Sequence, residues 1–299
     1  MRNFKLFILT LFVLSTIFVV HSCTKEKTDT VLSDNNQISE SNGTVQIITQ
    51  IDKDRLLKLI NGKGNSQIEL QSRNISSAST CFPSTGTGGN TNCTQWFEIT
   101  AIGSLPAQFN PPPVGTRPAC NDFQITFDVL ECYNVNNGQW SFSFSNFNAE
   151  VGNCPALQTW LDNLSPAERA NQEDIWEYQL SLATQQSYIQ NTILGSGLPY
   201  TPCPSPTWSA EWATELCSFR CRVPIIKEGK QTTVIRRTIC GAQCCIRLTR
   251  GCINASGFYL TFGAPFFITT GPPCPDIEPE CQPNSILLDA KCGRVCGPR

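Results

Sequence analysis

The chain has 299 residues, with 17 cysteines, a single histidine and a formal net charge of −2. At the usual ~100–200 residues per domain this allows one large or two modest domains, and the near-neutral balance gives no reason to expect a nucleic-acid partner. The single imidazole, His21, lies in the N-terminal leader described next, so Ser-His-Asp and Cys-His catalysis and histidine-ligated zinc are excluded once that leader is removed.

Arg2 and Lys5 open the chain, a mostly apolar run from Leu6 to Val20 follows, and Val20-His21-Ser22-Cys23 closes it. This is a charged n-region, an h-region and a small residue before a cleavage point. The run is short for a membrane span of ~20 residues. The segment resembles the lipobox of bacterial lipoproteins, with Val20 at −3, Ser22 at −1 and Cys23 as the residue that keeps the lipid; His21 at −2 departs from the enteric pattern and is tolerated more readily in Bacteroidota-type signals. The resemblance covers the leader only. It implies removal of residues 1–22, acylation of Cys23 and anchorage in the bacterial outer membrane, on its periplasmic or cell-surface face. Without residues 1–22 the balance is 20 Lys+Arg against 24 Asp+Glu, a net of −4. Sixteen cysteines then remain beside Cys23, enough for eight disulfides in an oxidising compartment.

Residues 23–50 begin with the lipid-bearing cysteine and continue as a polar tether, with Ser33-Asp34-Asn35-Asn36 and Ser39-Glu40-Ser41-Asn42-Gly43 offering nothing to bury. Residues 51–80 carry a short amphipathic helix near Asp52–Ile60 and a linker. A cysteine-rich β domain is expected over 81–270. Its first strand is Trp96–Ile102. Asn121–Tyr133 alternates with Phe123, Ile125, Phe127 and Val129 on one face, and a turn ending in Asn137-Gly138 leads to Trp140, Phe142 and Phe144 alternating with serines, a hairpin pattern. A helical insert at 155–195 interrupts. Ser165-Pro166-Ala167-Glu168 is a capping box with Pro at the first helical position, Ile175, Tyr178, Leu182 and Ile189 recur at helical spacing with Trp176, Leu180 and Ala183 widening the stripe, and Gly195 and Gly197 stop the helix.

Strands then resume at Trp208–Leu216, although Trp208, Trp212 and Leu216 also fit a helix. Val223–Ile226 and Thr232–Ile239 flank Lys227-Glu228-Gly229-Lys230 as a hairpin, and Cys244–Ile253 pairs with Phe258–Phe262. Residues 271–299 form a Pro- and Cys-rich tail that disulfides must shape. The fold class read from this pattern is mainly β: a disulfide-rich antiparallel sandwich-like or open-barrel domain with a helical insert.

No cofactor, metal or catalytic signature is expected. Cys240-x3-Cys244-Cys245-x6-Cys252 lacks the paired knuckles of a thiolate metal site, and Cys244 and Cys245, as strand neighbours, point to opposite faces and serve different disulfides. Glu173, Asp174 and Glu177 read as acids favouring the helix macrodipole. Glu211 and Glu215 beside Trp208 and Trp212 are the carboxylates to weigh for glycan hydrolysis.

Between Cys217 and Ile253 lie Arg220, Arg222, Lys227, Lys230, Arg236, Arg237, Arg247 and Arg250 against Glu228 alone. Such a face attracts anions if it is free, or meets the protein's own acids if it is not. Alternation puts Arg236 and Arg247 on one solvent face of neighbouring strands, with Lys227 and Lys230 at the turn, whereas Arg237 falls in the apolar phase and meets an internal acid or a strand edge. Lys227, Lys230, Arg236 and Arg247 are therefore the expected site for an anionic polysaccharide or lipopolysaccharide. The expected function is a membrane-anchored, non-enzymatic binding or structural module, with a carboxylate-based glycan hydrolase as the alternative.

Overall fold

The computed structural model describes residues 43–47, 81, 91–94, 96–227, 230–289 and 291–297. Cys23, the tether up to residue 42 and the expected Asp52–Ile60 helix lie outside the described residues. The protein is mainly β. A nine-stranded sheet curls into an open half-barrel, with strand order β1-β3-β6-β7-β8-β11-β12, β2 paired to β6 and β13 paired to β11. Its strands are β1 (Thr44–Ile47), β2 (Thr91–Cys93), β3 (Phe97–Leu105), β6 (Cys120–Asn134), β7 (Gln139–Val151), β8 (Trp208–Glu215), β11 (Cys244–Ile253), β12 (Tyr259–Thr261) and β13 (Phe266–Thr270). A three-stranded sheet joins β10 (Lys230–Ile239), β9 (Ser218–Lys227) and β14 (Ile286–Leu287), and β4 (Gln108–Phe109) pairs with β5 (Thr116–Arg117).

The period-2 patterns carry through. Phe123, Ile125, Phe127 and Val129 of β6 are buried together with Trp140, Phe142 and Phe144 of β7 and Trp208, Ala210 and Trp212 of β8. Cross-strand ring contacts line this inner face: Phe144 stacks on Trp212 at 4.8 Å and Trp208 on Tyr259 at 4.6 Å. Such aromatic pairs add about 0.5–1.5 kcal/mol each beyond simple burial.

The insert is two helices, α1 (Pro155–Asp162) and α2 (Pro166–Ser196). Ser165 caps α2 in the predicted capping box, and Gly197 ends it in the left-handed conformation, φ 69°. At 1.5 Å per residue its 31 residues run about 46 Å, close to the length of β6. It packs lengthwise against β1, β3 and β7. Trp176 meets Phe123 edge-on at 5.2 Å, and the Tyr188 ring stands edge-on to Phe127, Phe142 and Phe144. The closest approach falls at Gly103, where an added Cβ would lie 2.6 Å from Ile125 and 2.9 Å from Leu180. The buried stripe of α2 runs through Trp176, Leu180, Ala183, Ile189 and Ile193, while Ile175, Tyr178 and Leu182 are half-buried. Trp176, Leu180, Ala183 and Ile189 of the expected stripe are thus its buried part, and a second flank, with Arg169, Glu173 and Gln185, is buried under polar contacts.

One pairing departs from the antiparallel expectation. β8 runs parallel to β7, with Trp140 opposite Trp208 and Phe144 opposite Trp212. The cause is the insert: two helices between Val151 and Trp208 return the chain to its starting end, the long crossover that parallel neighbours need.

All sixteen cysteines beyond Cys23 pair, as Cys81–Cys244, Cys93–Cys132, Cys120–Cys154, Cys203–Cys252, Cys217–Cys274, Cys221–Cys281, Cys240–Cys292 and Cys245–Cys296. Cys244 and Cys245 serve different bonds, as their opposite faces require. Four of the eight tie the C-terminal tail to β9, the end of β10 and β11. This density fits an extracytoplasmic, oxidising location. Among the described residues no helix is long and apolar enough to cross a membrane.

Candidate functional site

The basic segment divides between two sheets. β10 pairs with β9, whereas β11 pairs with β8, β12 and β13. Arg236 and Arg247 are therefore not on neighbouring strands, and the expectation that they share a solvent face is corrected. Arg236 is exposed. Arg247 is 4% exposed and faces α2. Its Nη1 donates to Ser181 Oγ at 2.8 Å and its Nη2 to Gln185 Oε1 at 3.2 Å, between the rings of Trp212 and Tyr178. Burial brings its pKa down to about 10.

Alternation on β11 is kept but its phase is inverted. Ile246 and Leu248 lie on the outer side and the arginine lies within. The physical reason is the amphipathic guanidinium: two aromatic rings shelter its faces while α2 supplies acceptors at its edge. In the three-stranded sheet Lys227 and Lys230 are register partners, and Arg236 sits opposite Cys221.

Most other arginines of the segment meet the protein's own acids. Arg220, 2% exposed, is the hub. Its Nε donates to Asp289 Oδ2 at 3.0 Å and its Nη2 to Asp289 Oδ1 at 2.7 Å, a bidentate fork, and its backbone N–H also donates to Asp289 Oδ2. Its Nη1 lies 3.1 Å from Glu173 Oε2 and 3.9 Å from Glu177 Oε1.

Arg237 pairs with Glu177 at 3.0 Å, fulfilling the internal-acid expectation for that residue. Arg222 pairs with Asp162, Arg169 with Asp162 and Glu173, and Arg294 of the tail with Asp174 and Glu177. Five arginines and five carboxylates thus neutralise one another where α1 and α2 meet the ribbon and the tail. Burial alone would raise the Glu177 carboxyl, but Arg294, Arg237 and Arg220 together hold it down at about 2. The helix acids that the sequence assigns to the macrodipole serve this network instead.

Sequence reasoning also misses Glu131, the fourth residue after Phe127 in the apolar phase of β6. It is fully buried, accepting from the Tyr188 hydroxyl at 2.5 Å and from the Thr192 hydroxyl at 3.4 Å. The signal was available: a carboxylate in an otherwise apolar phase calls for donors from the facing helix.

Glu211 and Glu215 share the outer face of β8, with Ala213 between them buried against the Cys81–Cys244 disulfide. Glu211 is half-buried, its carboxyl pushed up by burial and its Oε2 without a hydrogen-bond partner. A raised carboxyl suits a general acid. The second requirement, a partner carboxylate about 5–9.5 Å away across an open slot, is poorly served by a pair straddling a disulfide-capped alanine.

Comparison with protein-family models, curated proteins and solved structures finds no match to this chain.

Proposed function

We propose that this protein is a bacterial lipoprotein, anchored in the outer membrane through acylated Cys23, whose domain is a non-enzymatic binding or structural module. What carries the reading is the internal pairing of the carboxylates gathered where the helices meet the ribbon, the tail and the inner sheet face. With no histidine after residue 21, carboxylates are the chief general acids and bases left to the mature chain. Glu173, Asp174 and Glu177 of α2 are engaged by Arg169, Arg220, Arg237 and Arg294, and Glu131 by Tyr188 and Thr192. These groups hold the helix to the sheets and do not face a substrate.

The anionic glycan surface is proposed on the β9–β10 ribbon alone, at Lys227, Lys230 and Arg236. Retention of the wild-type domain on a heparin-like column at roughly 50 mM salt, where screening is weak, is the test. It should drop for the Lys227→Ala, Lys230→Ala, Arg236→Ala variant and stay unchanged for Arg247→Met. Equal retention of wild type and triple variant removes the glycan from the proposal. Cys23→Ala should release the protein from membranes, and acyl mass on the N-terminal peptide should be lost.

The raised Glu211 carboxyl favours one rival, a glycan hydrolase. Turnover of any polysaccharide that Glu211→Gln abolishes with the fold intact would establish it.

A further inference from the structure

We propose that the proline hairpin between β4 and β5 is a membrane-apposition element, whose Phe109 enters the interface of the bilayer carrying the lipid anchor. This inference rests on the anchoring part of the proposal above. It starts from where the chain enters the domain. β1 pairs with β3 so that Thr44 lies opposite Ser104, and an added Cβ on Gly43 would touch Ser104 and Leu105. The connection from Leu105 to Cys120, which are themselves register partners, contains the β4–β5 hairpin. The anchor-bearing end of the chain and the hairpin therefore meet the same end of the half-barrel.

Twenty residues, 23–42, lead from the proposed acylated cysteine to Gly43, and a random coil of that length spans about 25 Å r.m.s.. The 15 residues of β6 extend the sheet over about 50 Å. A link of that length is shorter than the sheet, so under the proposed anchorage the entry end lies on average nearer the bilayer than the opposite end.

The hairpin's composition suits that position. From Pro106 to Thr116 there is no charged residue, so entering the headgroup region desolvates no ion. Phe109 is 76% exposed. An irregular loop pays for unsatisfied backbone donors in apolar surroundings, yet Pro111, Pro112 and Pro113 have no N–H, and the Asn110 N–H donates to Gly115 O at 3.1 Å. The base is braced: Arg117 Nη2 donates to Pro106 O at 3.0 Å, and Trp160 Nε1 of α1 donates to Val114 O at 3.1 Å. An aromatic side chain on a braced, uncharged tip can sink about 5–10 Å into the headgroup–acyl boundary.

Exposure alone does not choose the site. Phe258 is 64% exposed in the turn after β11, and Val135 is 45% exposed in the turn after β6. The strand directions place both at the far end of the sheet, away from Gly43, and they serve as controls. The experiment is photo-crosslinking of the full lipidated protein in its own membranes, with p-benzoylphenylalanine replacing Phe109 or Phe258, and with the N-terminal peptide weighed in the same samples. Lipid adducts at 109, and their loss to background at 258, are the expected result. If the peptide carries its acyl mass but position 109 yields only protein adducts, or yields no more lipid adduct than 258, the hairpin proposal fails and the anchor stands. An unacylated peptide overturns the anchor, and the hairpin proposal with it.

Discussion

Arg220 shows how one side chain fixes three parts of the chain at once. Its fork holds Asp289 of the tail while its other edge meets Glu173 and Glu177 of α2. Breaking a buried ion pair from one side leaves its partner charges in a poor dielectric, at a cost of about 3–5 kcal/mol. Arg220→Ala should lose stability on that scale in urea unfolding with the disulfides intact, and Arg220→Lys should recover only part, because an ammonium cannot reproduce the fork to Asp289. A loss below 1 kcal/mol would mean that the hub is dispensable.

Glu177 gives the same network a pH signature. Its folded pKa of about 2 lies below the ordinary 4.5, so its stabilisation is present above pH 4.5 and fades as pH falls toward 2. Glu173 acts with the opposite sign, since burial pushes its carboxyl up against the pull of Arg220 and Arg169. The difference between wild type and Glu177→Gln therefore isolates the Glu177 contribution. The variant should be less stable at pH 7 and should approach wild type by pH 2.5; a gap of constant size across that range would contradict the assignment.

At the scale of elements, α2 depends on its first turn. The Ser165 hydroxyl accepts from the Glu168 N–H, and the Glu168 carboxylate accepts from the Ser165 N–H at 2.9 Å. Ser165→Ala should cost about 1 kcal/mol, readable as a small shift in the urea midpoint without a change in slope. This cap, the Gly197 stop and the β6–β7 hairpin were legible because each is written in contiguous residues. The phase of β11 was not. Alternation says which residues share a face, but not which face is inside, and Ile246 and Leu248 outvote Arg247 until α2 supplies Ser181 and Gln185. Nor could spacing reveal that β10 and β11, only four residues apart in sequence, belong to different sheets. That division lies in long-range pairing: β11 takes β8 and β13 as neighbours while β10 stays on β9. The carboxylate partners of Arg220 and Arg237 were missed for the same reason: α2 lies some 50 residues earlier, and only the folded crossover brings the two together.

The tail matters to the molecule as a whole. Residues 271–299 supply little apolar surface, yet they contribute one strand, β14, two members of the ion network, Asp289 and Arg294, and four disulfide partners. Those four bonds close spans of 51 to 60 residues, each worth about 4 kcal/mol in chain entropy. The four spans overlap, so these single-loop values do not simply add, but even one approaches the lower end of the whole stability of an ordinary domain, about 5–15 kcal/mol. A chain ending at Thr270, with Ser at Cys217, Cys221, Cys240 and Cys245 so that no thiol is stranded, should therefore lose the β9–β10 ribbon. The loss of Asp289 adds to this by leaving Arg220 without its fork. The expected observation is rapid proteolysis between residues 217 and 245 under conditions that leave the full chain intact, together with a weakened or missing cooperative urea transition. If the shortened chain resists protease and unfolds within about 2 kcal/mol of the full one, less than the ~4 kcal/mol expected of a single such bond, the tail only decorates a domain that the half-barrel and α2 hold together.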